Sequence, residues 1–397
     1  MPPEEPHRLK INFLSFIQAL EDEFTKKQRV RKIDAAEKAI LLRVEKNPLA
    51  GAEASLAELA QLARTCDVEV FDSIVQYRPQ PDPKFMVGRG KLSAIDLRAS
   101  QIGANMLIFD HELTPAQARS ISNFTGLKII DRTQVILDIF ARRAHSREGK
   151  IQVELAQLRY RLPRLMHMDT SLSRLAGGIG GTGPGETKLE IDRRRIRERI
   201  HHLEKDLKAI TKSRRQRYSK REKTGLPIIS IVGYTNAGKS TLLNTLTKST
   251  VLVEDKLFAT LDTKSARLRF PKDTEAIITD TVGFIRNLPE ELFTAFRATL
   301  DELLDADILL HVIDASNSQF EDQIAAVEKI LEELEINDKP TIRVLNKSDC
   351  VADKEMLQNL CRRLDAVAVS ALDKRTLFVL MEKIESFLSG NHSFSAR

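Results

Sequence analysis

An α/β protein in three parts is predicted by this sequence: a small parallel sheet with helices packed on it, a long antiparallel helical hairpin, and a second parallel α/β domain. Three observations predict it. Strand-like and helix-like segments alternate from Ala39 onward, as in a parallel sheet with crossover helices. Two long, charged, helix-patterned stretches then flank a glycine-rich run. Finally, the apolar strand Ile228–Val232 runs straight into a glycine-rich loop and a helix.

The elements follow in order. Leu9 to Lys32 carries scattered apolar residues and reads as a partly amphipathic arm within residues 1–38. Residues 39–136 form the small α/β domain. Ala39–Val44 reads as a strand, Ala54–Thr65 as a helix and Val68–Tyr77 as a second strand. The Pro- and Gly-rich segment after Arg78 must be a loop, at least to Val87, before a helix from about Leu92 to Ser100. Met106–Phe109 is a third strand. Thr114 can cap a helix that starts at Pro115, a residue whose fixed φ suits the first helical position. Lys128–Ile130 is the fourth strand. Residues 137–224 make the hairpin: Leu137 to Leu165 is mostly helical, Gly177 to Gly185 is the tip, and Glu186 to about Arg221 is the return helix. The last domain, 225–397, starts near Gly225-Leu-Pro227, a natural linker.

Composition narrows the class. Hydrophobic residues make up 42% of the 397, enough for real cores, and no apolar run is long enough to cross a membrane. The N-terminus lacks the order of a secretory signal. Cys66, Cys350 and Cys361 are scattered and odd in number, so they make neither a disulfide framework nor a zinc pattern. A cytoplasmic protein is expected, and a monomer. Charge is unevenly placed. Residues 141–224 carry 23 Lys/Arg against 10 Asp/Glu, a net +13 in a chain of net +6, so the remainder is about −7. A basic block on an acidic protein points to a polyanionic partner, and the bland alternative is a solvated helix pair. Arg193, Arg194 and Arg197 recur at spacings that share a helix face.

The glycine-rich loop is Gly233-Tyr-Thr-Asn-Ala-Gly-Lys-Ser240, which matches G-x-x-x-x-G-K-[ST] after a strand and before a helix, Ser240–Leu246. Backbone N–H groups of Tyr234, Thr235, Asn236, Ala237, Gly238 and Thr241 are the natural phosphate cradle. Gly233 and Gly238 allow the required close approach. Lys239 places its charge on the β- and γ-phosphates, and the Ser240 hydroxyl can ligate Mg²⁺. Further along, a strand ends at Asp280-Thr281-Val282-Gly283, where Asp280 can hold Mg²⁺ through a water and the Gly283 N–H can reach the γ-phosphate. Asn346-Lys347-Ser348-Asp349 follows the strand Thr341–Leu345. The Asp349 carboxylate can accept from guanine N1–H and N2–H₂, an arrangement adenine does not offer, so an unpaired carboxylate would penalise ATP. Asn346 and Lys347 would brace the base and the phosphate loop. Ser370-Ala371-Leu372, after Ala366–Val369, can supply backbone N–H to guanine O6. Any one tetrapeptide reads as a surface turn; four in order, each at the C-terminal end of a strand, specify GTP and GDP binding. Between them lies Phe258-Ala259-Thr260-Leu261-Asp262, where Thr260 is the best Mg²⁺ ligand and Thr263 the alternative. Asn236 is a candidate K⁺ ligand through its amide oxygen. Phe284 stands where many GTPases place a catalytic Gln, and a phenyl ring cannot orient the attacking water, so no catalytic residue is assigned and unaided hydrolysis should be slow.

From about Ala39 onward the chain resembles the HflX family, ribosome-associated GTPases of the translation-factor-related class. The resemblance rests on Lys84-Phe-Met-Val-Gly-Arg-Gly-Lys91, Phe109-Asp-His-Glu-Leu-Thr-Pro-Ala-Gln117, Ile130-Asp-Arg-Thr133 and Gly149-Lys-Ile-Gln-Val-Glu-Leu-Ala-Gln-Leu158. It continues in Gly183-Pro-Gly-Glu-Thr187, in the loop from Gly233 to Thr241, in Phe258–Asp262 and in Asp280-Thr-Val-Gly-Phe-Ile285. It implies an α/β domain and helical hairpin before a P-loop GTPase domain. It also implies binding to the large ribosomal subunit and its rRNA, and splitting of stalled or hibernating ribosomes, with the hairpin tip working near the peptidyl-transferase centre. The residues to contact rRNA would be Gly177, Gly178, Gly183, Gly185, Arg193, Arg194 and Arg197. Two other readings are a ribosome-assembly GTPase and an RNA-binding scaffold regulated by GTP. The chain departs from the family at Thr182, where Arg is usual, and at Thr263, where Pro is common. Only 25 residues follow Leu372, room for one closing helix, so the further C-terminal domain of some members is expected to be absent.

Overall fold

The computed structural model describes residues 37–47, 51–166, 188–222, 225–247, 257–258, 264–271, 274–286 and 289–390. Residues 1–36 of the arm, the glycine-rich tip with Thr182, and Ala259, Thr260, Leu261, Asp262 and Thr263 lie outside the described residues, and Lys38, the last residue of the expected arm, already starts the first strand.

The first sheet has four strands: β1 (Lys38–Glu45), β2 (Glu69–Tyr77), β3 (Met106–Phe109) and β4 (Lys128–Asp131). All pair in parallel, in the order β2-β1-β3-β4. Both faces are covered, which is why the central strands read as continuous apolar runs rather than alternations. Ala39, Leu41, Met106 and Ile108 face one side, under α1 (Ala52–Thr65) and α4 (Arg132–Arg143). Ile40, Leu42, Leu107 and Phe109 face the other, under α2 (Arg89–Ile102) and α3 (Pro115–Thr125). Local chemistry sets the helix ends. Thr114 and Gln117 form a reciprocal capping box with Pro115 at the first position, and Gly126 closes α3 at φ 67°. Asp131 caps α4 by accepting from the Gln134 N–H.

The reading of Leu137–Leu165 as one helical stretch meets a break. α4 ends at Arg143, Ala144 is extended, and α5 (Arg147–Met166) starts afresh. Ile136, Leu137, Ile139 and Phe140 of α4 are buried in the core beneath the first sheet. The helix starts earlier than periodicity suggests because Asp131 caps it directly from the end of β4. α5 packs along α6 (Lys188–Glu222) through Ile151, Leu155 and Leu158 against Ile200, Leu203, Leu207 and Ile210. Two ion pairs flank that seam: Arg199 grips Glu154 with both nitrogens (2.7 and 2.8 Å), and Arg159 reaches Glu204 (2.7 Å).

The second sheet is built from β5 (Ile228–Gly233), β6 (Lys264–Arg269), β7 (Glu275–Asp280), β8 (Ile308–Asp314), β9 (Thr341–Asn346) and β10 (Ala366–Ala368). Its order is β10-β9-β8-β5-β7-β6, and only β6 runs antiparallel to its neighbour. α7 (Lys239–Thr247) and α11 (Leu377–Gly390) cover one face, where Leu242, Leu380 and Ile384 meet Ile229, Leu310 and Val344. α8 (Glu290–Leu300) and α9 (Phe320–Glu333) help cover the other, and α10 (Lys354–Leu364) packs beside α9. The two sheets share a core: Phe140 of α4 meets Phe258 edge-on at 4.7 Å between ring centroids and Phe296 of α8 at 5.1 Å. Paired rings of this kind contribute roughly 0.5–1.5 kcal/mol beyond the area they bury.

Candidate functional site

The C-terminal ends of β5, β7, β9 and β10 converge on one edge, where ligands bind in open parallel sheets. The loop after β5 is shaped by two glycines. Gly233 has φ 151°, and a Cβ there would run into the Val312 carbonyl. Gly238 has φ 90°, and its Cβ would strike the Asn346 amide. Any other residue at either position would be strained and crowded by backbone or by a buried side chain. Asn236 adopts φ 61°, a left-handed conformation that Asn tolerates better than most residues. Ala237 is buried, and Thr241 lies in the first turn of α7.

Lys239 is buried, with its Nζ donating to the carbonyls of Gly233 (3.1 Å) and Tyr234 (2.7 Å). Burial pulls its pKa below the ordinary lysine value, and Asp280 opposes that pull. Asp280 is completely buried. Burial pushes its carboxyl above the ordinary range, against Lys239 and Ser240. Its Oδ2 accepts from Ser240 Oγ at 2.6 Å, while its Oδ1 is buried with no hydrogen-bond partner. An orphaned carboxylate oxygen beside a hydroxyl is a hard-oxygen donor set that fits Mg²⁺. Next to Asp280, Thr281 ties β7 to β5 by donating to the Ile231 carbonyl (2.6 Å), and Val282 is buried.

The segment after Asp280 is stitched to the phosphate loop. Thr235 N–H donates to the Phe284 carbonyl (2.7 Å), and Phe284 N–H donates to the Gly233 carbonyl (3.1 Å). Gly283 lies so close that a Cβ on it would approach Thr235 Cα at 2.8 Å and Lys239 Nζ at 3.0 Å. The Phe284 ring is buried in the core that the two sheets share. Phe258 N–H donates to Thr235 Oγ1 (2.9 Å), anchoring the start of the Phe258–Asp262 segment to the same loop.

Asn346 acts as the brace. Its Nδ2 donates to the Ala237 carbonyl (2.8 Å), and its Oδ1 accepts from Ala371 N–H (2.9 Å). One side chain thus joins the phosphate loop to the loop Ser370–Leu372. Lys347, at φ 59°, sends its Nζ to Asp314 Oδ2 (2.7 Å), and Ser348 N–H donates to the Val369 carbonyl (3.1 Å). Asp349 is exposed, and a hydrogen bond from the Ser370 side chain holds its carboxyl below the ordinary range. Leu372 is 80% exposed. Sequence reasoning missed three supports: Thr376, whose hydroxyl accepts from Ser370 N–H (2.9 Å); Thr245, whose hydroxyl donates to the Ala371 carbonyl (2.6 Å); and Asp314. Only Asp314 left a trace, as the acidic end of the apolar strand Ile308–Asp314.

Of the residues expected to meet rRNA, Arg194 and Arg197 are exposed on α6 and Arg193 is half-buried; Gly177, Gly178, Gly183 and Gly185 lie outside the described residues. Among the described residues no helix is long and apolar enough to cross a membrane.

Comparison with known proteins agrees with this geometry. Residues 53–141 match the family described as GTP-binding GTPase N-terminal, residues 143–221 its middle region, and residues 228–347 the family described as 50S ribosome-binding GTPase. The chain is 46% identical over 349 residues to GTPase HflX of Caldanaerobacter subterraneus, covering 88% of this chain and 80% of that one. It is 45% identical over 322 residues to GTPase HflX of Escherichia coli K12, covering 81% and 75%. Among solved structures it is similar to a GTP-binding protein from Sulfolobus solfataricus in complex with GDP, with 26% identity, a TM-score of 0.47, and coverage of 89% and 99%. A phosphate loop and a Lys–Asp–Ser cluster, carried on a chain this close to its relatives over most of its length, make this protein a GTPase of the HflX family.

Proposed function

We propose that the protein is a cytoplasmic, ribosome-associated GTPase that binds the large subunit and its rRNA and splits stalled or hibernating ribosomes. The observation that carries this reading is a GTPase site joined to a basic stretch, residues 141–224, which includes α5 and α6 and has a net charge of +13. The description of the matching family, 50S ribosome-binding GTPase, supports the same partner. Mg²⁺ would be held by Ser240 and Thr260, with Asp280 bound through a water, and would neutralise charge on the β- and γ-phosphates. The 225–397 domain then reads GTP, α5 and α6 reach for rRNA, and the first α/β domain, which includes α4, carries them. The decisive experiment is sedimentation of intact ribosomes with the protein and a non-hydrolysable GTP analogue. Released subunits support splitting, co-migration with precursor subunits alone supports an assembly role, and neither outcome favours an RNA-binding scaffold.

Salt should report on the basic helices. Neutralising rRNA phosphates releases counterions, so affinity for large subunits should fall steeply with salt. Replacing Arg193, Arg194 and Arg197 together with Ala should flatten the log–log slope by about 2–3, at roughly 0.7–0.9 for each phosphate no longer neutralised, with GTP binding unchanged. Equal slopes for both proteins would return α6 to a solvated arm.

A monovalent ion belongs to the same proposal. The Asn236 amide oxygen, with phosphate oxygens and carbonyls of the Phe258–Asp262 segment, can complete a K⁺ site whose charge offsets that developing on the bridging oxygens. Turnover should be at least severalfold faster in potassium chloride than in sodium chloride at matched ionic strength, by about tenfold for each 1.4 kcal/mol of extra stabilisation. Indistinguishable rates would leave Asn236 as a loop-forming residue.

A further inference from the structure

In the first sheet the strand order reverses between β1 and β3, which creates a crevice at their C-terminal ends. The crevice is lined by charges. Asp110, just beyond β3, has no exposed side-chain surface and accepts from Arg43, Ser55 Oγ (2.6 Å) and Arg132 Nη1 (2.9 Å). Arg132, just beyond β4, also pairs with Glu58 of α1 and points Nη2 at the Arg286 carbonyl (3.5 Å). Arg43 pairs with Glu45 as well.

In other parallel α/β proteins such a crevice receives a ligand. Here Tyr234 and Arg286 of the GTPase domain meet Glu58 and Arg132 beside it. The Tyr234 hydroxyl donates to Glu58 Oε2 at 2.7 Å and accepts from Arg286 N–H at 2.9 Å. The Arg286 guanidinium lies 3.4 Å from the same Glu58 oxygen, and beyond it reaches toward Gln319 and Asp322. Three cations (Arg43, Arg132, Arg286) thus meet the buried or half-buried anions Glu45, Glu58 and Asp110, so each charge at the junction has a partner of opposite sign. Tyr234 is the second residue of the phosphate loop. Arg286 lies three residues past Gly283, and Phe284 between them is paired to the loop in both directions. One carboxylate from the first domain therefore holds both the phosphate-loop tyrosine and the arginine that ends the backbone presenting the Gly283 N–H.

We propose that Glu58 is a positioning residue for GTP hydrolysis, acting through the Tyr234 hydroxyl and Arg286 to keep the Gly283–Arg286 backbone preorganised against the phosphate loop. Donors aimed in advance at developing charge accelerate reaction because nothing must reorganise during it. Glu58 touches neither nucleotide nor metal, so its effect should fall on the turnover number rather than on GTP affinity. The inference goes beyond the ribosomal role and needs only the GTPase activity of the free protein.

The test is phosphate release from GTP by the full chain without ribosomes, at saturating GTP and below the melting temperature of every variant. Glu58→Ala should lower kcat about tenfold, inside the 10²-fold that a small misplacement can cost, with KM within about twofold of wild type. Glu58→Gln, whose amide oxygen can still accept from Tyr234, should recover most of kcat. Tyr234→Phe should lower kcat as Glu58→Ala does, and the double variant should fall no further, since both act on one linkage. A lowered melting temperature with wild-type kcat would make the junction purely structural and overturn the proposal, as would a rise in kcat or additive losses in the double variant. Should Glu58→Ala not fold, the near-isosteric Glu58→Gln and Tyr234→Phe decide it: wild-type kcat in Tyr234→Phe overturns the proposal.

Discussion

Purified large ribosomal subunits should raise the turnover number of this GTPase by roughly 10³-fold or more, the range seen when a missing catalytic part is supplied in trans. Small subunits should not. The expectation comes from Phe284, which follows Gly283 and whose ring is buried in the core with no polar atom to offer a water. Free protein should therefore bind GTP readily and hydrolyse it slowly. Stimulation could come from a supplied group or from ordering of the segments that carry Thr260 and Gly283, which fixes a Mg²⁺ ligand and a γ-phosphate donor. The burial of Phe284 also determines which variant is informative. Phe284→Ala removes a ring buried in the core that the two sheets share and should cost about 3–5 kcal/mol of stability, so loss of activity there would report unfolding. Phe284→Leu keeps most of the volume, and subunit-stimulated turnover in it should stay near wild type. A turnover number that large subunits leave unchanged would remove the ribosome as activator and favour the scaffold reading.

The second large effect is on base choice. Asp349→Asn should weaken GTP binding by about 10²-fold, since two hydrogen bonds to a charged acceptor contribute roughly 1.5–3 kcal/mol each and the amide keeps at most one. The amide also turns a donor toward the guanine amine. Xanthosine triphosphate, with a carbonyl at that position, should become the better ligand. The environment favours a clean result: Asp349 is exposed and its carboxyl is held ionised by the Ser370 hydroxyl, so the substitution should leave the fold intact. Competition between GTP, xanthosine triphosphate and ATP, measured by equilibrium binding, gives the readout. An unchanged preference for GTP over both would mean that Asp349 does not read the base.

The phosphate loop was legible because its chemistry is local. A loop that wraps phosphates needs unusual φ at fixed positions, and Gly233 and Gly238 occupy them at φ 151° and 90°. The strands were legible for a related reason: a parallel sheet covered on both faces leaves runs such as Met106–Phe109 apolar throughout. Capping chemistry marked Thr114 and Pro115. The break at Ala144 was hidden because helix-favouring residues continue on both sides of it.

By itself, then, the sequence determined a guanine-nucleotide loop, two parallel α/β units and a basic helix pair, since each follows from residue types a few positions apart. Tertiary structure alone decided what joins them. Glu58 sits on an ordinary helix 176 residues from the tyrosine it binds and 228 from Arg286. Phe140 meets Phe258 and Phe296 from a different domain. No periodicity or spacing rule reaches across such distances. The partners are chosen by burial: a carboxylate, a phenol and two guanidiniums taken from water must find each other, and only the packed chain shows where they do.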